Sequence, residues 1–205
     1  MVKIPARSDT KQRLIETALE LLWKNSYGSV SVDDICKAAD VKKGSFYHFF
    51  PSKADLAVAV MEETYRDTKA IYDRIFSAEK PPIARFEDFA DYICEKQSEI
   101  ASRFKHVCGC PLASLGSEMA GQEQGIQAKY EEVNRRRVRY FENALRDMIA
   151  EGSIPDATDV ESKAQEISAY VLGQLMLARI QNDLQTLKRD LKPGLLQMLG
   201  LTGKA

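Results

Sequence analysis

Ser31-Val32-Asp33-Asp34-Ile35-Cys36-Lys37-Ala38-Ala39-Asp40-Val41-Lys42-Lys43-Gly44-Ser45-Phe46-Tyr47-His48-Phe49-Phe50 reads as two short helices joined by a tight corner. Ser31 with Asp34 three residues later has capping-box spacing, in which the hydroxyl accepts from a first-turn N–H and the carboxylate reaches back. Val32, Ile35 and Ala39 recur at intervals of three and four, a stripe for burial. Asp40 falls at the corner, where a left-handed backbone is needed; Gly suits that best, but Asp tolerates it. The second helix is expected to open near Lys42 or Lys43. Phe46 with Phe49 or Phe50 can face inward, which leaves Lys43, Ser45, Tyr47 and His48 outside.

That outer face suits the major groove of a nucleic-acid duplex. It has a cationic start, then Gly44 and Ser45, small enough for close backbone approach, then a phenol and an imidazole that can bond phosphate or base edges. Pro51 ends the short helix and Ser52-x-x-Asp55 caps the next. Taken by periodicity alone, an ordinary helical hairpin with a polar exposed face fits equally well.

The block resembles the N-terminal DNA-binding module of the tetracycline-repressor (TetR) family of bacterial regulators. The resemblance lies in Val32-x-x-Ile35-x-x-Ala38-Ala39-x-Val41, Lys43-Gly44-Ser45, Tyr47-His48-Phe49-Phe50 and Pro51-Ser52-Lys53, and it extends over residues 8–68. It implies an all-α protein, with a DNA-binding domain over 8–68, whose helix-turn-helix is 31–50, and an effector-binding and dimerisation domain over 69–205. Two residues depart from the pattern. Asp40 stands where the family usually has Gly, and Lys42 where it often has Ser or Thr, a change that weakens the cap by about 1 kcal/mol while adding a phosphate-seeking charge. Ser31, Lys42, Lys43, Tyr47 and Lys53 are the candidates for phosphate contacts. Gly44, Ser45 and His48 are the candidates for bases or the sugar edge.

Composition agrees with a globular helical chain. Of 205 residues, 44% are hydrophobic and 29% charged, with only 11 Gly and 7 Pro, and few strand-like alternations are found. The net charge of -1 excludes indiscriminate coating of nucleic acid, so any DNA contact must be a local patch. Neither a signal peptide nor a long apolar run is evident, so no membrane is expected and the cytoplasm is; the 4 Cys are then expected as thiols.

Outward from the central stretch, Met1 to Arg7 is a short basic arm with Lys3 and Arg7. A first long helix from Ser8 or Asp9 carries Leu14, Ala18, Leu21 and Leu22. The fourth helix runs from Ser52 to about Ser77, Pro81-Pro82 breaks the chain, and a helix with Phe86, Phe89, Ile93, Gln97, Ile100 and Phe104 follows. A short helix after Leu112, a loop and a long helix ending at Gly152 and Pro155 are expected next. The run Arg135-Arg136-Arg137 with Arg139 reads as a solvated face with Glu131, Glu132 and Glu142 nearby. Thr158-x-x-Glu161 has capping-box spacing, and Pro193-Gly194 is expected to kink or restart the final helix.

His106-Val107-Cys108-Gly109-Cys110-Pro111 admits three readings: a helix-helix loop with small buried thiols, a thiol sensor at Cys108 and Cys110, or a metal site. A sensor would have its thiol pKa depressed by a cationic His106 and by a helix N-terminus at Cys110. A metal site lacks a fourth ligand, so no metal and no cofactor is expected. The Gly-Cys-Pro-Leu step also resembles, more briefly, a subgroup of the family in which a Gly-Cys step opens the pocket helix. Effector-pocket candidates chosen by helical face and by the resemblance are Phe89, Ile93, Phe104, Cys110, Met119, Tyr130, Tyr140, Tyr170 and Met176.

The segment 167–180 is apolar most of the way round, so it needs cover on more than one side, and a second apolar face follows with Leu184 to Leu199. Two such helices from each of two copies would form a four-helix interface, with Ile167, Val171, Gln174, Leu175, Ala178, Leu187, Leu191 and Leu195 as its residues. The expected function is a homodimeric, ligand-responsive transcriptional regulator, most simply a repressor of a pseudo-palindromic double-stranded operator, released by a small-molecule or thiol-reactive effector. The rival class is a small enzyme using Cys108 or Cys110 with His106. Against it, nothing in the sequence orients that His or supplies an oxyanion site.

Overall fold

The computed structural model describes residues 8–201, and the basic arm with Lys3 and Arg7 lies outside them. Among the described residues nine helices and no strand occur, so the chain is all-α. They are α1 Ser8–Lys24, α2 Val32–Ala39, α3 Lys43–Phe49, α4 Lys53–Ile75, α5 Pro82–Phe104, α6 Pro111–Glu118, α7 Gln124–Ala150, α8 Val160–Gln181 and α9 Leu184–Met198.

Contacts divide the chain into two units: residues through Arg66 together with Pro111–Val133, and Asp67–Cys110 together with Asn134 onward. Helix α6 and the start of α7, which lie beyond the boundary expected at 68/69, pack with the N-terminal residues. The reason is burial: Leu112, Leu115, Met119 and Ile126 all lose their solvent, and α6 lies against α1.

The first unit is built round Phe46, fully buried, with Leu14, Ile15, Ala18, Val30, Ile35, Ala39, Phe50, Leu56 and Val60. These are the inward positions of four helices at spacings of three and four, so one apolar stripe per helix closes the core. The α1–α2 corner is held from two sides. Glu118, the last residue of α6, accepts the backbone N–H groups of Tyr27 at 2.8 Å and Gly28 at 2.6 Å, while Lys53 donates to the carbonyls of Tyr27 and Val30, both at 2.9 Å.

The second unit has a core of aromatic rings and aliphatic ridges. Tyr72, Phe76, Phe86, Phe89, Tyr140 and Phe141 touch edge-to-face or tilted, with centroids 5.1 to 6.3 Å apart. Arg85 is buried beside them; it donates to Asp147 at 2.5 Å and to the carbonyl of Lys80 at 3.0 Å, which ties the turn before α5 to α7. Helix α9 packs on α5 and α8 and runs through Pro193 rather than restarting there. Gly194 has a specific use: a Cβ on it would sit 1.9 Å from the Tyr170 hydroxyl, which instead enters that space and donates to the Asp190 carbonyl at 2.9 Å.

Two expectations are corrected here. The cap of α8 is Asp159, whose carboxylate accepts from Ser162 N–H at 3.1 Å; the Thr158 hydroxyl is turned to the carbonyl of Pro155, closing the preceding turn. The larger correction concerns the interface residues. Ile167, Val171, Leu175, Ala178, Leu187, Leu191 and Leu195 are buried in the core of the chain's own second unit, and Gln174 is half-buried. An all-round apolar helix does not reveal by its pattern which side its own subunit takes. The large apolar side chains that α8 turns to solvent are Leu177, 51% exposed, and Ile180, 72% exposed.

Candidate nucleic-acid interface

Helix α2 begins as its sequence dictates. The Ser31 hydroxyl accepts from Asp34 N–H at 3.1 Å, and the Asp34 carboxylate accepts from Ser31 N–H at 2.9 Å, a reciprocal box. Bonded first by the Ser31 hydroxyl and then by its N–H, the Asp34 carboxyl is held below its usual pKa. The helix stops at Asp40, whose φ of 51° is left-handed, and Val41 N–H closes the end by bonding back to the Cys36 carbonyl at 2.9 Å. This is the Schellman arrangement with Asp in the place of Gly.

That corner aims α3. Its cap residue Lys42 makes no side-chain cap bond, as its side chain requires; its carbonyl instead accepts from the N–H groups of Ser45 at 2.8 Å and Phe46 at 3.1 Å. Phe46 and Phe50 point inward, Phe49 is half-buried, and Lys42, Lys43, Gly44, Tyr47 and His48 are exposed, with Ser45 half-exposed. Tyr47 is 49% exposed, its ring turned away from the core that holds Phe46. Thr10 of α1 joins Gly44, Ser45, His48 and Phe49 round an open hollow beside this face. The sequence alone had not pointed to Thr10.

Lys43 and Lys53 sit differently from each other. Lys43 lies on the surface with its ammonium 2.7 Å from Asp33, a hydrogen bond that pushes its pKa up. Lys53 is half-buried, its ammonium 3.9 Å from the Tyr27 ring centre and bonded to two carbonyls, and burial pushes its pKa down. Two of its three N–H bonds thus hold the α1–α2 corner, which leaves one to reach a phosphate. Ser31 is exposed, at the N-terminus of α2.

The pocket candidates fall in both units. Phe89 and Tyr140 share the aromatic cluster of the second unit, where the Tyr140 hydroxyl also donates to Asp73 at 2.5 Å. Tyr170 is engaged by α9, while Ile93, Phe104, Cys110 and Met176 are half-buried in that unit. Met119 and Tyr130 belong to the first unit, where the Tyr130 ring lies against Gly116.

Cys108 has the surroundings of a small buried loop thiol. The residue is buried, with Sγ 3.5 Å from His106 Nε2, and burial pushes its thiol pKa up rather than down. The loop carrying it is pinned by two amides: Gln97 exchanges hydrogen bonds with Gly109 at 3.0 and 3.1 Å, and Asn182 accepts from Val107 N–H at 2.9 Å. Gly109 has a φ of 69°, and a Cβ there would press on the Leu175 carbonyl at 3.1 Å. No helix among the described residues is long and apolar enough to cross a membrane.

Comparison with known proteins agrees with this geometry. Residues 14–60 match the family model for bacterial regulatory proteins of the tetR family, and residues 90–192 match the tetracyclin repressor-like C-terminal domain. The transcriptional regulator AcuR of Cereibacter sphaeroides is 30% identical over 178 residues, 86% of this chain and 80% of that protein. The transcriptional repressor NemR of Escherichia coli K12 is 22% identical over 188 residues, covering 89% and 90% of the two chains. A crystal structure of a TetR regulatory protein from Rhodobacter sphaeroides superposes with a TM-score of 0.78 at 28% identity, over 94% of this chain and 98% of that one.

Proposed function

The chain belongs to the TetR family of bacterial regulatory proteins, so it is a helix-turn-helix transcriptional regulator and not an enzyme, and we propose that it acts as a dimeric repressor. In this reading two copies of α3 enter successive major grooves of a pseudo-palindromic operator, with centres about 34–36 Å apart. The residues of 8–68 hold DNA and those of 69–205 take effector and partner. The observation that carries the reading is the outward set on α3: Lys43, Gly44, Ser45, Tyr47 and His48 beside a buried Phe46, on a helix aimed by a left-handed Asp40. Lys42, Lys43, Tyr47 and Ser31 anchor phosphates, and Lys53 offers its remaining N–H.

The dimer face is reassigned to what the second unit leaves uncovered. Gly173, Leu177 and Ile180 follow one another at spacings of four and three along α8, all exposed, and space is open above Gly173 for a second helix to come close. A two-fold axis through this stripe would bury it against itself.

Effector binding in the second unit shifts the population away from the operator-competent spacing, which takes only a few kcal/mol of differential affinity. Burial of Cys108 favours a non-covalent effector over a thiol-reactive one. Release that persists in a Cys108→Ser, Cys110→Ser double variant supports the non-covalent route; release abolished in that variant refutes it.

The reading as a whole is tested by selecting duplexes from a random library with the purified protein, followed by gel shift. Lys43→Ala and Tyr47→Ala are expected to lose the selected duplex while circular dichroism and size are unchanged. Undiminished sequence-specific binding by both variants would remove α3 as the reading head.

A further inference from the structure

Asp33 and Asp34 are adjacent carboxylates in the first turn of α2 with different duties. Asp34 closes the cap with Ser31, whereas Asp33 takes no part in that cap and reaches across the corner to Lys43, the first residue of α3, at 2.7 Å. Both side chains of the pair are mostly in solvent, 54% exposed for Lys43 and 70% for Asp33. A pair so placed is weak and easily exchanged, so it can orient the ammonium without holding it against a stronger anion. On the nucleic-acid face the available anion is phosphate.

We propose that Asp33 sets selectivity: its carboxylate competes with DNA phosphate for Lys43, so that Lys43 transfers to the backbone only when α3 is fully seated in the groove. This rests on the reading of α3 as the DNA-binding helix. On a random sequence the module sits loosely on the backbone, so phosphate comes within reach of the ammonium but is too poorly placed to displace the carboxylate, and Lys43 contributes little while Asp33 is there. On the operator, base-edge contacts draw α3 in, the ammonium changes partner, and one more counterion leaves the DNA. Asp33 thereby lowers non-specific affinity more than specific affinity. It is a positioning residue that acts through Lys43 and touches no base.

The test compares wild type, Asp33→Asn, Asp33→Glu, Lys43→Ala and the Asp33→Asn, Lys43→Ala double variant, with fold checked by circular dichroism. The probes are a labelled duplex of mixed sequence and the duplex selected by the wild-type protein, each titrated by fluorescence anisotropy between about 50 and 200 mM salt. Asp33→Asn is expected to tighten the mixed duplex about five- to ten-fold and to steepen its log-log salt slope by about one, while affinity for the selected duplex moves less than about three-fold. Asp33→Glu keeps a carboxylate in reach and is expected to stay close to wild type on both probes. In the Lys43→Ala background Asp33→Asn should have no effect. Equal tightening on both duplexes, no tightening, or the same tightening without Lys43 each overturns the proposal while leaving the DNA-binding reading intact. Failure of the wild type to select any duplex overturns both.

Discussion

Glu118 Oε1 lies 2.6 Å from the backbone nitrogen of Gly28, ninety residues away in sequence, so the end of α6 is bonded to the corner that precedes the helix-turn-helix. The same carboxylate serves Tyr27 N–H at 2.8 Å. Two donors that follow the end of α1 thus find their acceptor in one side chain. Glu118→Ala is expected to destabilise the first unit by about 1–3 kcal/mol, because both N–H groups lose a charged acceptor. Glu118→Gln should lose less, since its amide oxygen still accepts. Urea unfolding monitored by circular dichroism reads both, and equal midpoints for Ala and wild type would remove the clamp.

A buried guanidinium should matter more than its exposed partner. Arg85 has a side chain only 4% exposed and serves Asp147 together with the carbonyls of Lys80 and Ala78, whereas Asp147 is 46% exposed. Arg85→Met takes the donor from Asp147 and from the carbonyls of Lys80 and Ala78 at once and is expected to cost about 2–4 kcal/mol. Asp147→Asn keeps the other bonds of Arg85 and should cost about half that or less. Thermal unfolding of the two variants decides it; an Asp147→Asn loss equal to that of Arg85→Met contradicts the asymmetry.

Assembly and stability should separate by helix face. The Leu177→Glu, Ile180→Glu double variant changes side chains already in solvent, so it is expected to give a folded monomer by light scattering. Leu191→Ala opens a cavity beneath a fully buried position and is expected to lose about 2–5 kcal/mol whatever the assembly state. A double variant that still runs as a dimer would move the interface elsewhere.

Alkaline pH should weaken the fold through two tyrosines. Burial raises Tyr27 to about 12, helped by Glu123, Glu118 and Asp55, and burial raises Tyr92 to about 12, helped by Tyr72. In the unfolded chain these phenols ionise near pH 10, so the folded state binds more protons above that pH. The stability they contribute is complete below about pH 10 and is lost as pH rises through about 12. Absorbance of tyrosinate, followed with and without urea, should show these two groups titrating late in the native protein. Replacing both by Phe should flatten the loss of stability above pH 10.

Local signals in the sequence were legible where one residue acts on its own backbone. Ser31 with Asp34, Asp40 in the left-handed corner, uncapped Lys42 and the inward Phe46 follow from chemistry within a few residues. Where two residues compete for the same duty, local chemistry does not choose between them. Thr158 and Asp159 are both capping types, and only the turn at Pro155 settles which one takes the helix. Nothing near Lys53 in sequence shows that the carbonyls of Tyr27 and Val30 take two of its N–H bonds. At Cys108 the sequence neighbours leave a buried loop thiol and an activated one both open, and it is burial, which pushes the thiol pKa up, that distinguishes them.

The sequence by itself determined the helical class, the two helices of the reading head and the polar identity of α3, because caps, corners and apolar periods act over three to five residues. Tertiary structure alone decided that α6 folds with the N-terminal residues, that Asp33 faces Lys43, and which side of α8 meets solvent. Those are choices between faces or partners of equal local merit, and only the packing of distant helices makes one of them lower in free energy.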